Sequence, residues 1–535
     1  MAMVRPDRFR DPVRGDADVI VVGAGMGGLV AAALLARDGR RVLVLDGHYV
    51  PGGNASVFRR KRFEFDVGIH YLGDCQPGGL IPSILEACGA RVHFRPMDRE
   101  LEQLTFPDFE FTIPADRGEF ERRLVERFPS ERRGIRRYIR FLEQVDRVVE
   151  GQASGSKWRA LVALLRSPLV VRYANRSFGD FLDSCTRDAR LRSIVTAQNG
   201  TYAVAPRDVS SVLHAGLQNH YFASGGWYPE GGGQVMADRL ADAIEDAGGQ
   251  VRLRTHVDRI HVEDGAVTGV TFTNKHLGTR TVRAPVVISN ADLKKTVVDL
   301  VGADLFPPEW AAKVKRFEMA LPLFVVYLGL DIPPDRLPYG NVNRWSFGST
   351  DFDGEYDRIR AGEMPEHPFL YIATASRKDP DNPRLAPPGC TNLQLMTVPP
   401  ASAGFWGVTE EQLRDDSYQA SEQYRAVKER LTAQLIAEAG RLIPGLASHI
   451  VFCEAATPMT HTRYTGSTGG TSYGIAATPA QFLAKRPGAR TPVRGLYLAG
   501  ASTRAGHGIA GAMMSGVHAA GAVMGRMPLR GARPA

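Results

Sequence analysis

The residues most suggestive of chemistry stand near the start of the chain. Gly23, Gly25 and Gly28 form a G-x-G-x-x-G pattern, and Asp46 follows eighteen residues after the last of them. Each has a mechanical use: Gly23 permits a tight turn, Gly25 lets a pyrophosphate approach the backbone, and Gly28 lets a helix lie close on a sheet. The unpaired N–H groups at the start of that helix would face the phosphates, and Asp46 would accept hydrogen bonds from a ribose. Such a pattern predicts dinucleotide binding where a strand precedes it and a helix follows. Here Asp18 to Val22 is a β-branched apolar run, Leu29 to Ala36 is rich in Ala and Leu with Gly39 as its stop, and Arg41 to Asp46 is a second short strand ending on the acid. The uncharged run Val19 to Ala36 has the length of a membrane span, but its order of strand, turn and helix reads as part of a βαβ unit.

Further glycine-rich blocks recur along the chain. Pro51-Gly52-Gly53-Asn54 supplies a second turn close behind Asp46, and Phe65-Asp66-Val67-Gly68-Ile69-His70-Tyr71 follows a basic strand. Tyr228-Pro229-Glu230-Gly231-Gly232 precedes a helix over Val235 to Ala247. A strand over Val251 to Val257, a turn at Glu263-Asp264-Gly265 and a strand over Val267 to Phe272 then read as a β-meander, and Val286 to Asp292 returns from it. Near the end, Gly495 to Ala501 reads as a strand into a turn, followed by Ser502 to Ser515 with Gly506, Gly508 and Gly511 and a helix starting near Ile509. The positive end of that helix would favour negative charge.

Taken together these blocks resemble the FAD-dependent amine oxidase and phytoene desaturase superfamily. Gly68-Ile69-His70-Tyr71-Leu72-Gly73 is most similar to the retinol saturase and carotenoid isomerase branch, and the Gly500 to Gly511 ending to bacterial phytoene desaturases. The resemblance implies an α/β fold, with a Rossmann-like FAD-binding domain of the glutathione-reductase type and a discontinuous α+β substrate domain. It assigns FAD to Gly23, Gly25, Gly27, Gly28, Asp46, Gly52, Gly53, Asn54, Val257, Gly500, Ala501, Gly508 and Ile509, with Val257 at the adenine. It also brings His70, Tyr71 and His507 near the flavin as candidate catalytic residues. The implied reaction is hydride exchange between flavin and a carbon–carbon bond of a lipophilic polyene or isoprenoid, as desaturation, saturation or cis–trans isomerisation. Two alternatives remain at this level: an amine-oxidase-like flavoenzyme, and an isoprenoid- or lipid-binding chaperone of the GDP dissociation inhibitor type.

The cofactor blocks place the FAD-binding domain at residues 15–100, 225–300 and 451–527. The insertions 101–224 and 301–450 carry no cofactor motif and are expected to build the substrate domain around a cleft at the junction. Within the first insertion, Lys157 to Phe181 mixes Leu and Val with Arg159, Arg166, Arg172 and Arg176 around Pro168, a pattern suited to lying on anionic lipid. The charged run Glu119 to Val149 reads as a solvated helix face.

Composition bounds these readings. The chain has 535 residues, too many for a single small module, with 66 Lys and Arg against 58 Asp and Glu, so the excess of +8 argues against nucleic-acid binding. The five cysteines form no C-x-x-C pair, and there is neither an H-E-x-x-H nor a Gly-Lys dipeptide, so no metal site or Walker A loop is expected. The unpaired cysteines and the charged N-terminus predict a cytoplasmic location, with peripheral contact at the inner face of the cytoplasmic membrane, where the sequons at Asn54, Asn175 and Asn199 carry no meaning.

Overall fold

The computed structural model describes Arg5 and residues 7–529. A five-stranded parallel sheet collects segments from both ends and the middle of the chain, in the order Leu496–Leu498, Val286–Ser289, Val19–Val22, Val42–Leu45 and Gln250–Arg252. Val19–Val22 and Val42–Leu45 are buried along their whole length, as unbroken apolar runs are when both faces of a parallel sheet are covered. One face carries the helices Met26–Arg37 and Gly508–Met524, and the other carries an antiparallel meander of Thr255–Glu263, Ala266–Asn274 and Gly278–Arg283.

The two helices meet at their backbones. A Cβ on Gly516 would stand 2.2 Å from the carbonyl oxygen of Gly27, and one on Gly27 would stand 2.8 Å from that of Ala512. Glycine is therefore required on both sides, and this contact brings the closing segment beside the first glycine turn.

A seven-stranded mixed sheet faces this unit, in the order Ile450–Ala456, Phe324–Leu330, Thr391–Thr397, Leu370–Ala373, Asn343–Ser346, Glu100–Thr105 and Glu110–Pro114. Its pairs are antiparallel except Asn343–Ser346 with Glu100–Thr105. The long helix Glu422–Leu442 covers one face, and an aromatic core fills the other. Helices from Arg117 to Phe222 form a layer beside that core, with Ser211–Phe222 packed on Arg132–Ala153.

Two expectations need correction. Residues 451–456 belong to the seven-stranded sheet, because Ile450–Ala456 completes the ladder of Phe324–Leu330 with Val325 opposite Ala456; the expected boundary at 450/451 cuts this edge strand. The expected strand Val251 to Val257 is two strands. Arg254 has φ +50°, and this left-handed residue sends Gln250–Arg252 into the parallel sheet and Thr255–Glu263 into the meander.

Gly516→Val should destabilise the protein by about 1–3 kcal/mol through overpacking. Gly440→Ala, inside Glu422–Leu442 where a Cβ meets nothing within 4 Å, should stabilise it by about 0.5–1 kcal/mol. Denaturant unfolding of the two variants beside the parent checks the opposite signs.

Candidate active site

A cavity of about 550 Å³ lies between the glycine-loop edge of the parallel sheet and the aromatic face of the seven-stranded sheet. At one end it is lined by the glycine-rich segments Gly25–Gly27, Gly52–Ala55, Asn290–Leu293, Gly500–Thr503 and Ala505–Ala510, with Ala512. The opposite end is apolar and aromatic, with Leu217, Tyr221, Trp345, Phe369, Tyr371 and Met396.

Among the residues singled out in the sequence, Gly25, Gly27, Gly52, Gly53, Asn54, His70, Tyr71, Gly500, Ala501, His507, Gly508 and Ile509 line this cavity. Gly23, Gly28, Asp46 and Val257 stand outside its walls. Gly23 closes the turn from strand to helix, its N–H donating to Leu45 O at 2.8 Å. A Cβ on Gly28 would fall 2.1 Å from Gly23 O, so that turn admits no side chain there. Asp46 accepts from Ala24 N at 2.6 Å through Oδ2 and from His48 N at 2.7 Å through Oδ1, which ties its carboxylate to both neighbouring turns and leaves each oxygen a further lone pair. Val257 is a buried residue of the meander strand Thr255–Glu263, at a β-bulge between Val257 and Arg259.

The glycine-walled end fits a nucleotide cofactor. The buried Oδ1 atoms of Asn54 and Asn290 have no partner, and both residues line the cavity. A Cβ on Gly25 would come 2.6 Å from Asn290 Nδ2, so the turn and the Asn290 side chain leave a slot that only bare backbone keeps open. The helices Met26–Arg37 and Gly508–Met524 both begin at this wall without side-chain caps, which leaves first-turn N–H groups for an outside acceptor.

The model of flavin-containing amine oxidoreductases matches residues 26–524. The chain belongs to that family. It is an FAD-dependent oxidoreductase. It is 28% identical over 515 residues to the all-trans-retinol 13,14-reductase of Danio rerio, covering 91% of this chain and 82% of that one. It is 27% identical over 520 residues to the chloroplastic prolycopene isomerase 1 of an Oncidium hybrid cultivar, covering 94% and 82%. Among solved structures, wild-type putrescine oxidase bound to putrescine superposes with a TM-score of 0.62 at 16% identity, covering 96% of this chain and 100% of that one, a likeness of fold.

In this flavoenzyme the cavity wall is set by buried polar groups that the sequence reading missed. Glu102, fully buried on strand Glu100–Thr105, accepts from Gln198 Nε2 at 2.9 Å and from Trp345 Nε1 at 2.7 Å. Burial pushes its carboxyl up despite these donors. Gln198 Nε2 also lies 3.3 Å from Tyr71 Oη, and the Tyr71 ring stacks on Tyr221 at 4.5 Å. Burial, with Glu102 nearby, raises the Tyr71 phenol well above its ordinary range, so it stays protonated.

Behind Tyr71 stands Lys378, whose Nζ donates to His70 O at 2.6 Å and Asn343 Oδ1 at 2.7 Å and lies 5.8 Å from the Tyr71 ring centroid. Burial lowers the Lys378 ammonium to about 7, against the pull of Glu102 and Asp66. His70 is lowered to about 3, first by burial and then by Lys378, so its imidazole is neutral at physiological pH.

His507 caps the opposite wall. Its Nε2 lies 3.2 Å from Thr201 O, which can only accept, so Nε2 carries the proton and Nδ1 keeps a bare lone pair. That Nδ1 is buried without a partner, and the ring stacks on Tyr473 at 5.2 Å. Burial, then Arg486, pushes His507 down to about 4. The buried Arg486 guanidinium donates to the carbonyls of Gln481 at 3.2 Å, Ala501 at 3.0 Å, Gly506 at 2.6 Å and Ile475. It thereby staples the Gly500–Gly506 turn from behind.

Lys378 makes a pH prediction whose sign follows from linkage. The folded chain releases this proton near pH 7 and the unfolded chain near 10.5, so folding excludes a proton in that window and this contribution to stability rises with pH. The stability of the parent relative to Lys378→Met should rise from pH 7 towards 10 by up to about 1.4 kcal/mol per unit. Urea unfolding of both proteins across that range tests it, since groups titrating in both cancel in the difference.

Proposed function

We propose that this flavoenzyme acts on carbon–carbon bonds of an extended polyene, retinoid or carotenoid in class, by saturation, desaturation or cis–trans isomerisation. The observation that carries the reading is the cavity itself, a backbone-walled cofactor slot opening into an aromatic chamber that offers no free carboxylate to a substrate ammonium. Asp292 lines it but is occupied: Oδ1 accepts from Lys294 N, Lys295 N and Thr468 Oγ1, and Oδ2 accepts from Thr468 N. Glu102 lies behind Gln198 and Trp345. The retinol reductase and prolycopene isomerase relatives support the same class, and the unclaimed carboxylate that would favour an amine is missing among the described cavity walls.

In this reading Gly25, Gly27, Gly52, Gly53 and Asn54 hold the cofactor with Gly500, Ala501, Gly508 and Ile509. Gly23 and Gly28 shape the first turn, Asp46 meets the ribose, and Val257 presents backbone at its bulge. When bound, FAD supplies the centre that accepts or returns hydride. The chain's own residues do the rest. The aromatic walls exclude water and align the hydrocarbon. Tyr71 holds a proton at Oη, with Gln198 and Glu102 fixing the direction of that hydroxyl. His507 offers Nδ1 as an acceptor, and Arg486 sets the loop on which it stands.

The test is anaerobic incubation of the flavin-reduced and flavin-oxidised enzyme with all-trans-retinol and with tetra-cis-lycopene, followed by chromatography and mass spectrometry. A product two mass units heavier marks saturation, one two units lighter desaturation, and a shifted retention at unchanged mass isomerisation. Bleaching of the oxidised flavin by putrescine or a monoamine, with both polyenes unchanged, would overturn the reading in favour of amine oxidation.

We further propose that an apolar substrate enters from a lipid surface. Among the described residues no helix is long and apolar enough to cross a membrane. The short helices Lys157–Leu165 and Pro168–Tyr173, however, expose Trp158 and Leu165 at 71% each and Val171 at 60%, beside Lys157, Arg159, Arg166 and Arg172. Large apolar side chains grouped this way among cations suit the interface of an anionic bilayer. The double variant Trp158→Glu, Leu165→Glu should keep its flavin and lose at least tenfold in co-sedimentation with phosphatidylglycerol vesicles. Unchanged co-sedimentation would remove the membrane face.

A further inference from the structure

The Ser211–Phe222 helix is arranged oppositely to a helix on a water-facing surface. Its polar side chains are turned into protein. Ser211 Oγ donates to Tyr173 O at 2.7 Å, His214 Nδ1 lies 3.2 Å from Tyr202 Oη, Gln218 Nε2 donates to Gln198 Oε1 at 2.7 Å, and Asn219 Nδ2 donates to Leu142 O at 2.8 Å. All four are buried. The other face carries Val212, Leu213, Gly216 and Leu217 at helical spacing, ending at His220, whose Nε2 accepts from Gly73 N at 3.1 Å; these line the cavity, and protein covers none of them completely. A helix pinned by its polar side with its apolar side left towards a cavity calls for an apolar occupant.

Gly216 sits in the middle of that face. Its φ is not in the left-handed region, and a Cβ there would meet nothing within 4 Å. Gly200, also on the cavity wall, differs: a Cβ there would stand 3.0 Å from the rings of both Phe369 and Trp345, so a side chain fits only if those rings give way. No protein contact requires the glycine at 216, although glycine weakens a helix interior relative to alanine. The unused room lies between Leu213 and His220, one turn to either side.

We propose that Gly216 is a specificity-determining residue: its missing side chain leaves the space in which the hydrocarbon of an extended polyene crosses the Ser211–Phe222 helix. This rests on the polyene reading above and deepens it by naming where chain thickness is selected. A side chain longer than one carbon at 216 fills the path from the helix side. Enlarging Leu213 fills the same space from one turn away.

The experiment titrates the FAD-loaded enzyme, by probe fluorescence, with two polyenes, the alcohol all-trans-retinol and the fatty acid cis-parinaric acid. Gly216→Ala should bind both within twofold of the parent. Gly216→Leu and, independently, Leu213→Phe should each weaken binding at least tenfold while retaining the parent's flavin absorbance and a melting temperature at or above the parent's. Adding Leu213→Ala to Gly216→Leu should restore most of the affinity, a rescue that a general defect in folding would not show. Parent-like binding of both probes by Gly216→Leu or by Leu213→Phe, with flavin in place, would overturn the proposal, as would failure of the parent to bind either probe. Should the parent bind parinarate and refuse retinol, the retinoid assignment falls, and the role of Gly216 is still decided by the parinarate titrations.

Discussion

The contact on which the rest of this molecule depends is the backbone approach of Met26–Arg37 to Gly508–Met524 through Gly27 and Gly516. Two helices that touch without side chains between them can begin at the same wall, so the first and last segments of the chain offer their opening N–H groups to one cavity. The parallel sheet makes this possible by placing Val286–Ser289 between Val19–Val22 and Leu496–Leu498. Asn290, at the end of that central strand, then lies against both glycine turns, with Gly25 and Gly27 on one side and Gly500 on the other. Close packing here serves access to backbone, and the apolar burial of α/β strands on either side supplies the rigidity that the bare turns lack.

On the substrate side, rigidity comes from buried polar groups held by uncharged partners. Arg486 is satisfied by carbonyl oxygens, Lys378 by a carbonyl and an amide, and Glu102 by an amide and an indole. Such groups are costly to bury and costlier to leave unpaired, so their networks fix the position of whatever they touch. Arg486 fixes the turn that carries His507; Lys378 fixes the backbone of His70; Glu102 and Gln198 fix the phenol of Tyr71. The same burial keeps both imidazoles neutral. An enclosure with neutral histidines, protonated phenols and aromatic walls suits a hydrocarbon whose reaction must be shielded from water.

The outcome of the sequence reading divides along a physical line. The turns at Gly23–Gly28 and Gly52–Asn54, the strand endings and the start of the Gly508–Met524 helix were legible because φ, close approach and apolar periodicity are local properties. The split at Arg254 was not, since a left-handed arginine leaves no mark in an apolar pattern. Residues 451–456 were assigned to the wrong unit because the sheet of Ile450–Ala456 is chosen by a hydrogen-bonding partner at Phe324–Leu330.

By itself the sequence determined the α/β class, the demand for a dinucleotide and the family whose glycine blocks these are, because each is written in short-range spacing that the backbone obeys wherever it is placed. Only the tertiary structure decided that Glu102, Gln198 and Lys378 stand together behind the wall that carries Tyr71, that Arg486 stands behind Gly500–Gly506, and that Gly216 opens onto the cavity. Those relations join residues from separate passes of the chain through hydrogen bonds and empty space, and no local period in a sequence records which distant residue, or which absence of one, will stand opposite.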